Sequence, residues 1–347
     1  MKTGRANRRG REDGVILACL DGEIQLISIN HLKQNLIKAR DLPMRLDHDH
    51  LRALAAVVRE GSFERAAAAL HVTPSAVSQR IKALEDRSGR LLVQRTVPAR
   101  PTPDGQVLVQ LAEQTALLEH DALLRLGVAE DEITQASIPV AVNHDSLETW
   151  FVDAATRFAA RSRATLDMQS EDQDHTATLL RNGAVLGAVT TLAEPVQGCR
   201  IHPLGSMRYV ATCSPDFQAR HFSQGVNART LAQAPVLVFN RKDGLQARFA
   251  RRIMGREPWQ PPVWWVPSSR AFVQATLDGL GWTMNPLPLI KEDLDSGRLV
   301  PLRARAWEDV PLFWQHWRVN SQAMVALTDA VLAAARALVR KRQGQAL

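Results

Sequence analysis

The segment from Asp47 to Thr96 carries three helix signals in close succession, and no other feature limits the fold as strongly. Apolar residues recur at helical spacing between an N-cap at Asp47 and a terminating Gly61. Ser62 then caps a second helix, predicted from Phe63 to Leu70, whose alanine run permits close packing. A third helix follows after a short turn, so this segment predicts a small helical domain.

The third helix has two faces of different chemistry. Thr73 is its predicted N-cap, and Pro74 stands at the first helical position, where a missing N–H costs nothing. One face is apolar and must pack inward, with Val77, Ile81 and Leu84. The other face is polar, with Ser75, Ser78, Gln79 and Lys82. This geometry suits base recognition in the major groove of DNA, although a merely solvated helix face is the competing interpretation.

A predicted wing follows the third helix. Leu91 to Thr96 is β-like and Val97 to Pro101 is a turn, which places Arg95 and Arg100 on the two arms of a small hairpin within reach of phosphates. Residues 70–102 hold six basic and two acidic residues, so part of the chain's net charge of +7 is concentrated here. The candidate contacts with double-stranded DNA are therefore Thr73, Ser75, Ser78, Gln79, Arg80, Lys82, Arg95 and Arg100.

A long helix is predicted from the Thr102-Pro103-Asp104-Gly105 start to about Leu126. Its apolar residues fall at near-heptad spacing, which predicts a linker helix that joins two copies of the chain. We therefore divide this half into a winged helix-turn-helix domain at 44–102 and a linker at 103–134. Residues 1–43 form a basic extension: either a disordered arm or upstream sequence before a true start at Met44, and we favour the second.

The run SFERAAAALHVTPSAVSQRIKALEDRSGRLLVQRT, followed by TPDG, resembles the winged helix-turn-helix of LysR-type transcriptional regulators. The stretches VNHDSLETWF, APVLVFNRKDGLQ and DVPLFWQHWRV are similar to the ArgP/LysG branch. The resemblance implies a homodimer or homotetramer that contacts RNA polymerase, senses lysine or arginine, and activates a gene for a basic amino-acid exporter. Thr283 departs from the branch pattern, in which we expect a smaller residue there.

Residues 137–320 alternate between strand and helix patterns, which predicts an α/β fold. The late strand at Leu312 to Val319 is expected to return to the first of two lobes. Together with the resemblance, this predicts a two-lobed effector domain at 135–320, similar to periplasmic solute-binding proteins, before a C-terminal helix and tail at 321–347.

Ligands in open α/β sheets lie beyond the carboxyl ends of strands, beside helix N-termini. Hydroxyls there suit an α-carboxylate, and the acids Asp145, Glu171, Asp172 and Asp174 suit a cationic amine. The candidate effector contacts are Asn143, Asp145, Ser146, Glu171, Asp172, Thr190, Thr191, Pro267, Ser268 and Ser269. Two alternatives stay open: these residues only cap helices or face solvent, or a neutral or acidic effector binds Arg181, Arg241, Lys242 or Arg270.

Other functions have little support in the sequence. No GxGxxG, P-loop, GxSxG or HExxH motif appears, so no cofactor or enzymatic chemistry is predicted. His48 and His50 are a weak metal signal, and three cysteines without a CxxC pair indicate reduced thiols in a cytoplasmic protein without membrane spans. The remaining alternatives are a nucleoid or replication-origin binder without an effector, and a solute-binding or enzymatic α/β protein that would leave residues 47–126 unexplained.

Overall fold

A computed structural model describes residues 15–20, 23–28, 45–129, 133–171, 176–255 and 258–339. Within the extension, strands β1 (Val15–Leu20) and β2 (Glu23–Ser28) pair antiparallel. The sequence analysis did not predict this pair. Among the described residues, no helix is both long and apolar enough to cross a membrane.

The N-terminal domain contains helices α1 (His48–Glu60), α2 (Phe63–Ala69) and α3 (Pro74–Ser88). Their caps are the predicted ones: the Asp47 carboxylate accepts a hydrogen bond from the Asp49 backbone N–H at 2.9 Å, and Gly61 ends α1 with a φ of 67°. The predicted inner face of α3 is buried against α1. The wing is shorter than expected, with β3 (Val93–Gln94) antiparallel to β4 (Arg100–Pro101).

The linker helix α4 runs from Pro103 to Arg125. Thr102 caps it, and Gly105 packs against the wing so closely that a Cβ there would stand 1.9 Å from the Leu92 carbonyl oxygen. At its other end, the Asp121 carboxylate accepts a hydrogen bond from the Gln322 backbone N–H at 2.6 Å. The linker helix is therefore packed on both domains.

The strands of the larger domain are β5 (Ser137–Asn143), β6 (Thr165–Glu171), β7 (Gly187–Thr190), β8 (Cys199–Cys213), β9 (Val236–Val238), β10 (Val263–Trp265), β11 (Thr283–Pro286), β12 (Val300–Pro301) and β13 (Trp307–Trp317). The domain has two lobes that share one sheet with the strand order β11-β8-β13-β7-β5-β6. Strands β8 and β13 run through both lobes, and β13 pairs with β7, as predicted for the late returning strand. A register shift between Leu312 and Phe313 interrupts the β8–β13 ladder where the strands cross.

The helices surround this sheet. They are α5 (His144–Ser146), which continues through a π-helical turn (Leu147–Phe151) into α6 (Val152–Ala159), then α7 (Thr176–Arg181), α8 (Pro215–His221), α9 (Ala228–Gln233), α10 (Leu245–Met254), α11 (Ser269–Leu277), α12 (Leu287–Asp295) and α13 (Gln322–Val339). Strands β8 and β12 and helices α8, α9 and α12 were not predicted from the sequence. Trp314 and Trp282 are fully buried in the core.

Candidate functional site

The outer face of α3 is free of the protein core. Ser75, Gln79 and Lys82 are exposed, and Ser78 is half-buried beside them. Thr73 is also exposed, and its hydroxyl accepts a hydrogen bond from the Ala76 backbone N–H at 3.2 Å. Local helix periodicity therefore puts four of the predicted polar side chains on one accessible surface.

The predicted arginines differ in their surroundings. Arg80 is half-buried, and its guanidinium lies 3.5 Å from the Asp49 carboxylate of α1, so it also ties two helices together. Arg95 follows β3, and its guanidinium lies 5.3 Å from the centre of the Phe63 ring, a cation–π contact that positions it beside α2. Arg100 lies on β4 and is exposed.

A cleft separates the two lobes of the larger domain at the carboxyl end of β5. Its empty space is about 490 Å³ and opens to solvent. The lining combines three carboxylates with aromatic and polar groups: Asn143, His144, Asp145, Glu171, Tyr209, Phe239, Asp243, Leu245, Ser269, Phe272, Met284 and Pro286. No lysine or arginine occurs among these described lining residues. The cleft therefore suits a cation better than an anion.

Asp145 is the central polar group of the cleft. Its carboxylate accepts hydrogen bonds from the Tyr209 hydroxyl at 2.7 Å and from the Ser269 hydroxyl at 3.2 Å. Burial raises the pKa of Asp145, the two hydroxyls oppose that rise, and the nearby Asp243 carboxylate adds to it. A cationic group would compensate the cost of keeping this carboxylate ionised.

Three pairs of residues bring the lobes together around Asp145. Ser269 belongs to the second lobe, so its bond to Asp145 spans the cleft. The His144 and Phe239 rings face each other with centroids 4.8 Å apart, and the Arg270 guanidinium lies 3.6 Å from the Glu148 carboxylate at the exposed edge. Ligand binding at this point would act on both lobes at once.

The structure brings four of the predicted effector contacts to the cleft wall: Asn143, Asp145, Glu171 and Ser269. The other described candidates lie outside that wall. Ser146 is buried and does not belong to the described lining, and Thr190 is buried in the first lobe, where its hydroxyl accepts a hydrogen bond from the Gln315 side chain at 3.4 Å.

Thr191 is half-buried outside the described lining, and Pro267 and Ser268 are exposed, with the Ser268 hydroxyl capping α11. Asp172 and Asp174 lie outside the described residues. These predictions rested on strand-end position alone, which does not specify on which side of a helix start a side chain lies.

Sequence reasoning missed most of the second lobe's contribution. Tyr209 comes from β8, which was not predicted, although it is the chain's single tyrosine. Asp243 lies in the turn before α10, and its carboxylate accepts hydrogen bonds from the backbone N–H groups of Phe239 and Leu245. Thr283, which departs from the branch pattern, is fully buried, and its hydroxyl donates to the Leu237 carbonyl at 2.9 Å.

The cationic residues of the acidic-effector alternative lie elsewhere. The Arg241 guanidinium stacks 5.1 Å from the centre of a Trp265 ring, and Arg181 and Lys242 are exposed. Arg270 is also exposed and faces Glu148. None of the four belongs to the described lining of the cleft.

A winged helix-turn-helix, a long linker helix and a two-lobed domain with an interlobe cleft together define a LysR-type transcriptional regulator. The model of the bacterial regulatory helix-turn-helix protein, lysR family, matches residues 48–106, and the model of the LysR substrate binding domain matches residues 134–336. The chain belongs to this family of DNA-binding regulators.

Its similar relatives carry the names LysG and ArgP. The HTH-type transcriptional regulator LysG of Mycobacterium tuberculosis is 46% identical over 299 residues, which cover 86% of this chain and 97% of that protein. The lysine export transcriptional regulatory protein LysG of Corynebacterium efficiens is 43% identical over 291 residues, with 84% and 98% coverage.

Two solved structures share the architecture. The crystal structure of ArgP from Mycobacterium tuberculosis has a TM-score of 0.73 at 46% identity and covers 85% of this chain and 99% of that one. Full-length LysG from Corynebacterium glutamicum with bound effector Arg has a TM-score of 0.64 at 39% identity, with 84% and 99% coverage.

Proposed function

We propose that this protein is an amino-acid-responsive transcriptional regulator whose effector is lysine or arginine and whose target is a promoter such as that of a basic amino-acid exporter. The observation that carries this proposal is the interlobe cleft, which has three carboxylates and no lysine or arginine among its described lining residues. A buried cationic side chain requires a carboxylate partner, and an anionic effector would lack one of opposite charge.

Asp145 and Asp243 are the proposed partners of the effector's cationic groups. Both lie at the cleft, and their proximity raises the pKa of Asp145 after the larger effect of burial. A cation between them would relieve this repulsion. The backbone N–H groups that begin α11, next to Ser269, supply donors for an α-carboxylate. The relative from Corynebacterium glutamicum was solved with arginine as its effector, which supports the same ligand class here.

The proposed switch is a change in the angle between the lobes. A ligand shifts such an equilibrium only if it binds one conformation better than the other. An amino acid that contacts Asp145 from the first lobe and Ser269 from the second has this property, because its partners separate when the cleft opens.

A thermal-shift screen of the twenty amino acids on the full chain tests the effector proposal. We expect lysine or arginine to raise the melting temperature, and glutamate, aspartate and the aromatic amino acids to leave it unchanged. If an acidic or aromatic amino acid stabilises the protein and neither lysine nor arginine does, the effector proposal is wrong.

On the DNA side, we propose that Ser75, Ser78, Gln79, Lys82 and Arg95 contact the operator. Gln, Ser and Lys side chains are suited to base edges, and Arg95 beside the wing is suited to phosphates. At a promoter the regulator would also meet RNA polymerase. Footprinting on the DNA upstream of this gene tests the proposal, and protection of an interrupted palindrome is the expected result.

We further propose that the linker helix joins two copies of the chain. Its inner face is buried, but a second apolar stripe is exposed, with Val107, Leu111 and Leu118. These residues recur at intervals of four and seven, as in a helix pair. Mass measurement in solution should give a dimer or tetramer, and Leu111→Glu should shift it toward the monomer, whereas Glu119→Gln on the same helix should not.

A further inference from the structure

A second cavity, with about 700 Å³ of empty space that opens to solvent, lies beside the first turns of α13. Strand β8 contributes Arg200 and His202 to it, the end of β13 contributes His316 and the following Arg318, and α13 contributes Asp329. It shares no described lining residue with the interlobe cleft. We call it the histidine pocket.

The two imidazoles of the histidine pocket are stacked. Their ring centroids are 5.5 Å apart and their planes differ by 5°. The His316 Nδ1–H donates to the Trp317 carbonyl at 2.9 Å, which leaves its Nε2 for another partner. His202 Nε2 is enclosed and has no hydrogen-bond partner among the described residues. Buried polar atoms are normally paired, so an unpaired ring nitrogen on a residue that lines the pocket is a candidate hydrogen-bonding partner for a ligand.

The charges around the histidines are unbalanced. Arg200 and Arg318 are exposed, and neither guanidinium forms an ion pair with a described residue. Asp329 is the one carboxylate among the described lining residues. Burial lowers the pKa of both His202 and His316, and the Arg200 charge lowers it further. Burial is thus the main reason that the two rings resist protonation, and the Arg200 charge, which would attract an anion, adds to it.

We propose that the histidine pocket is a second ligand site, which binds a small oxyanion with two negative charges, either a tetrahedral one such as sulfate or phosphate or a short dicarboxylate. Two guanidiniums supply the forked donors that carboxylate and phosphate groups prefer. Two imidazoles that gain protons when the anion arrives supply further donors. Binding therefore takes up protons and strengthens as the pH falls toward 6.

The pocket lies next to the contact between the domains. Val319 and Asn320 line it, and Gln322, two residues on, donates its backbone N–H to Asp121 of the linker helix. A bound anion would therefore touch the segment that connects β13 to the linker helix. The proposal does not depend on the identity of the amino acid in the interlobe cleft.

Calorimetric titration of the full chain tests the proposal with sulfate, which keeps its two charges across the range, at pH 6.5 and pH 8.0 and constant ionic strength. We expect saturable binding, about tenfold tighter at pH 6.5. Titration with succinate at pH 6.5 distinguishes the two classes of anion. Tighter binding of succinate than of sulfate indicates a dicarboxylate ligand, and weaker binding indicates a tetrahedral anion.

The variants test the assignment of residues. Arg200→Gln and Arg318→Gln should each weaken sulfate binding by about tenfold or more, and Asp329→Asn should strengthen it. Arg229→Gln removes an exposed charge from α9 and should change nothing. The proposal is overturned if neither anion binds saturably, if Arg229→Gln weakens binding as much as Arg200→Gln does, or if affinity is equal at the two pH values.

Discussion

The recognition face of α3 takes its side chains from residues 73–82, whereas the interlobe cleft collects its lining from separate stretches between Asn143 and Pro286. On α3, Gln79 and Lys82 are exposed. In the cleft, Asp145 is bound to hydroxyls from two other elements.

This difference has an energetic consequence. A side chain on the recognition face contributes a contact that can be removed without disturbing the fold. A side chain in the cleft also holds the lobes together, so its removal changes binding, conformation and proton affinity together. Substitutions on the recognition face should therefore change DNA binding alone, whereas substitutions in the cleft should change several properties together.

The largest expected effect is the loss of the effector response in Asp145→Asn. Removing one charge of an enclosed pair costs about 3 to 5 kcal/mol, which corresponds to at least about 100-fold weaker binding of lysine or arginine. Calorimetry on the full chain measures this. Asp153→Asn, at an exposed carboxylate of α6, is the matched control. If DNA affinity without effector falls as much as effector affinity, the two regions are not separable.

The next effect is on sequence preference. Gln79→Ala should reduce specific DNA affinity about five- to 150-fold, the equivalent of about 1 to 3 kcal/mol for one base contact, and should leave binding to random DNA unchanged. Gel-shift titrations with operator and random duplexes measure the ratio, with Gln197→Ala in the larger domain as the control. An unchanged ratio would remove Gln79 from the reading face.

A smaller effect concerns pH. Because burial raises the pKa of Asp145 above its ordinary value of 3.8, its ionised form is lost earlier as the pH falls. Affinity for a cationic effector should therefore fall with pH, by at most about tenfold per pH unit below that raised pKa.

The sign for stability is opposite. The folded chain holds the Asp145 proton more tightly than the unfolded one, so the resulting stabilisation of the empty protein is complete below pH 3.8 and is lost as the pH rises through the raised pKa. Effector-binding titrations and denaturant unfolding, each from pH 5 to 8 on the wild type and on Asp145→Asn, check the sign of both pH dependences. If effector affinity and the free energy of unfolding vary with pH equally in the two proteins, another group is responsible.

The smallest effect is expected outside both regions. A chain that begins at Met44 should keep the melting temperature and the DNA affinity of the full chain, because the recognition face and the cleft are built from later residues. Thermal unfolding and gel shifts of both chains measure this. A drop of several degrees on truncation would show that residues 1–43 pack on the body.

The same contrast explains what the sequence could predict. The caps at Asp47, Ser62 and Thr73 are local signals, and each helix starts where its cap predicts. The first-lobe half of the cleft could also be predicted from the sequence, because Asn143 and Asp145 lie at the end of a recognisable strand.

In the second-lobe half, Ser269 was a candidate from its position at a helix start, but its contact with Asp145 and the part played by Tyr209 were not predicted. Tyr209 reaches Asp145 from 64 residues away in sequence, and Ser269 from 124 residues away. Such neighbours depend on the crossing of β8 and β13, and a periodic pattern in one segment carries no information about that crossing. Thr190 illustrates the same point: it ends a strand, but its hydroxyl accepts a hydrogen bond from the Gln315 side chain of β13 and it lies outside the described lining of the cleft.

The two hydroxyls on Asp145 have one more consequence. Since Tyr209 and Ser269 already occupy the carboxylate, an incoming amine must displace or share their hydrogen bonds, and they act as internal competitors of the effector. The concentration at which the regulator responds is then a property that the chain can adjust through these competitors. Tyr209→Phe would remove one competitor, but it would also remove a hydrogen bond that holds the pKa of Asp145 down, so its net effect on that threshold reports which of the two contributions is larger.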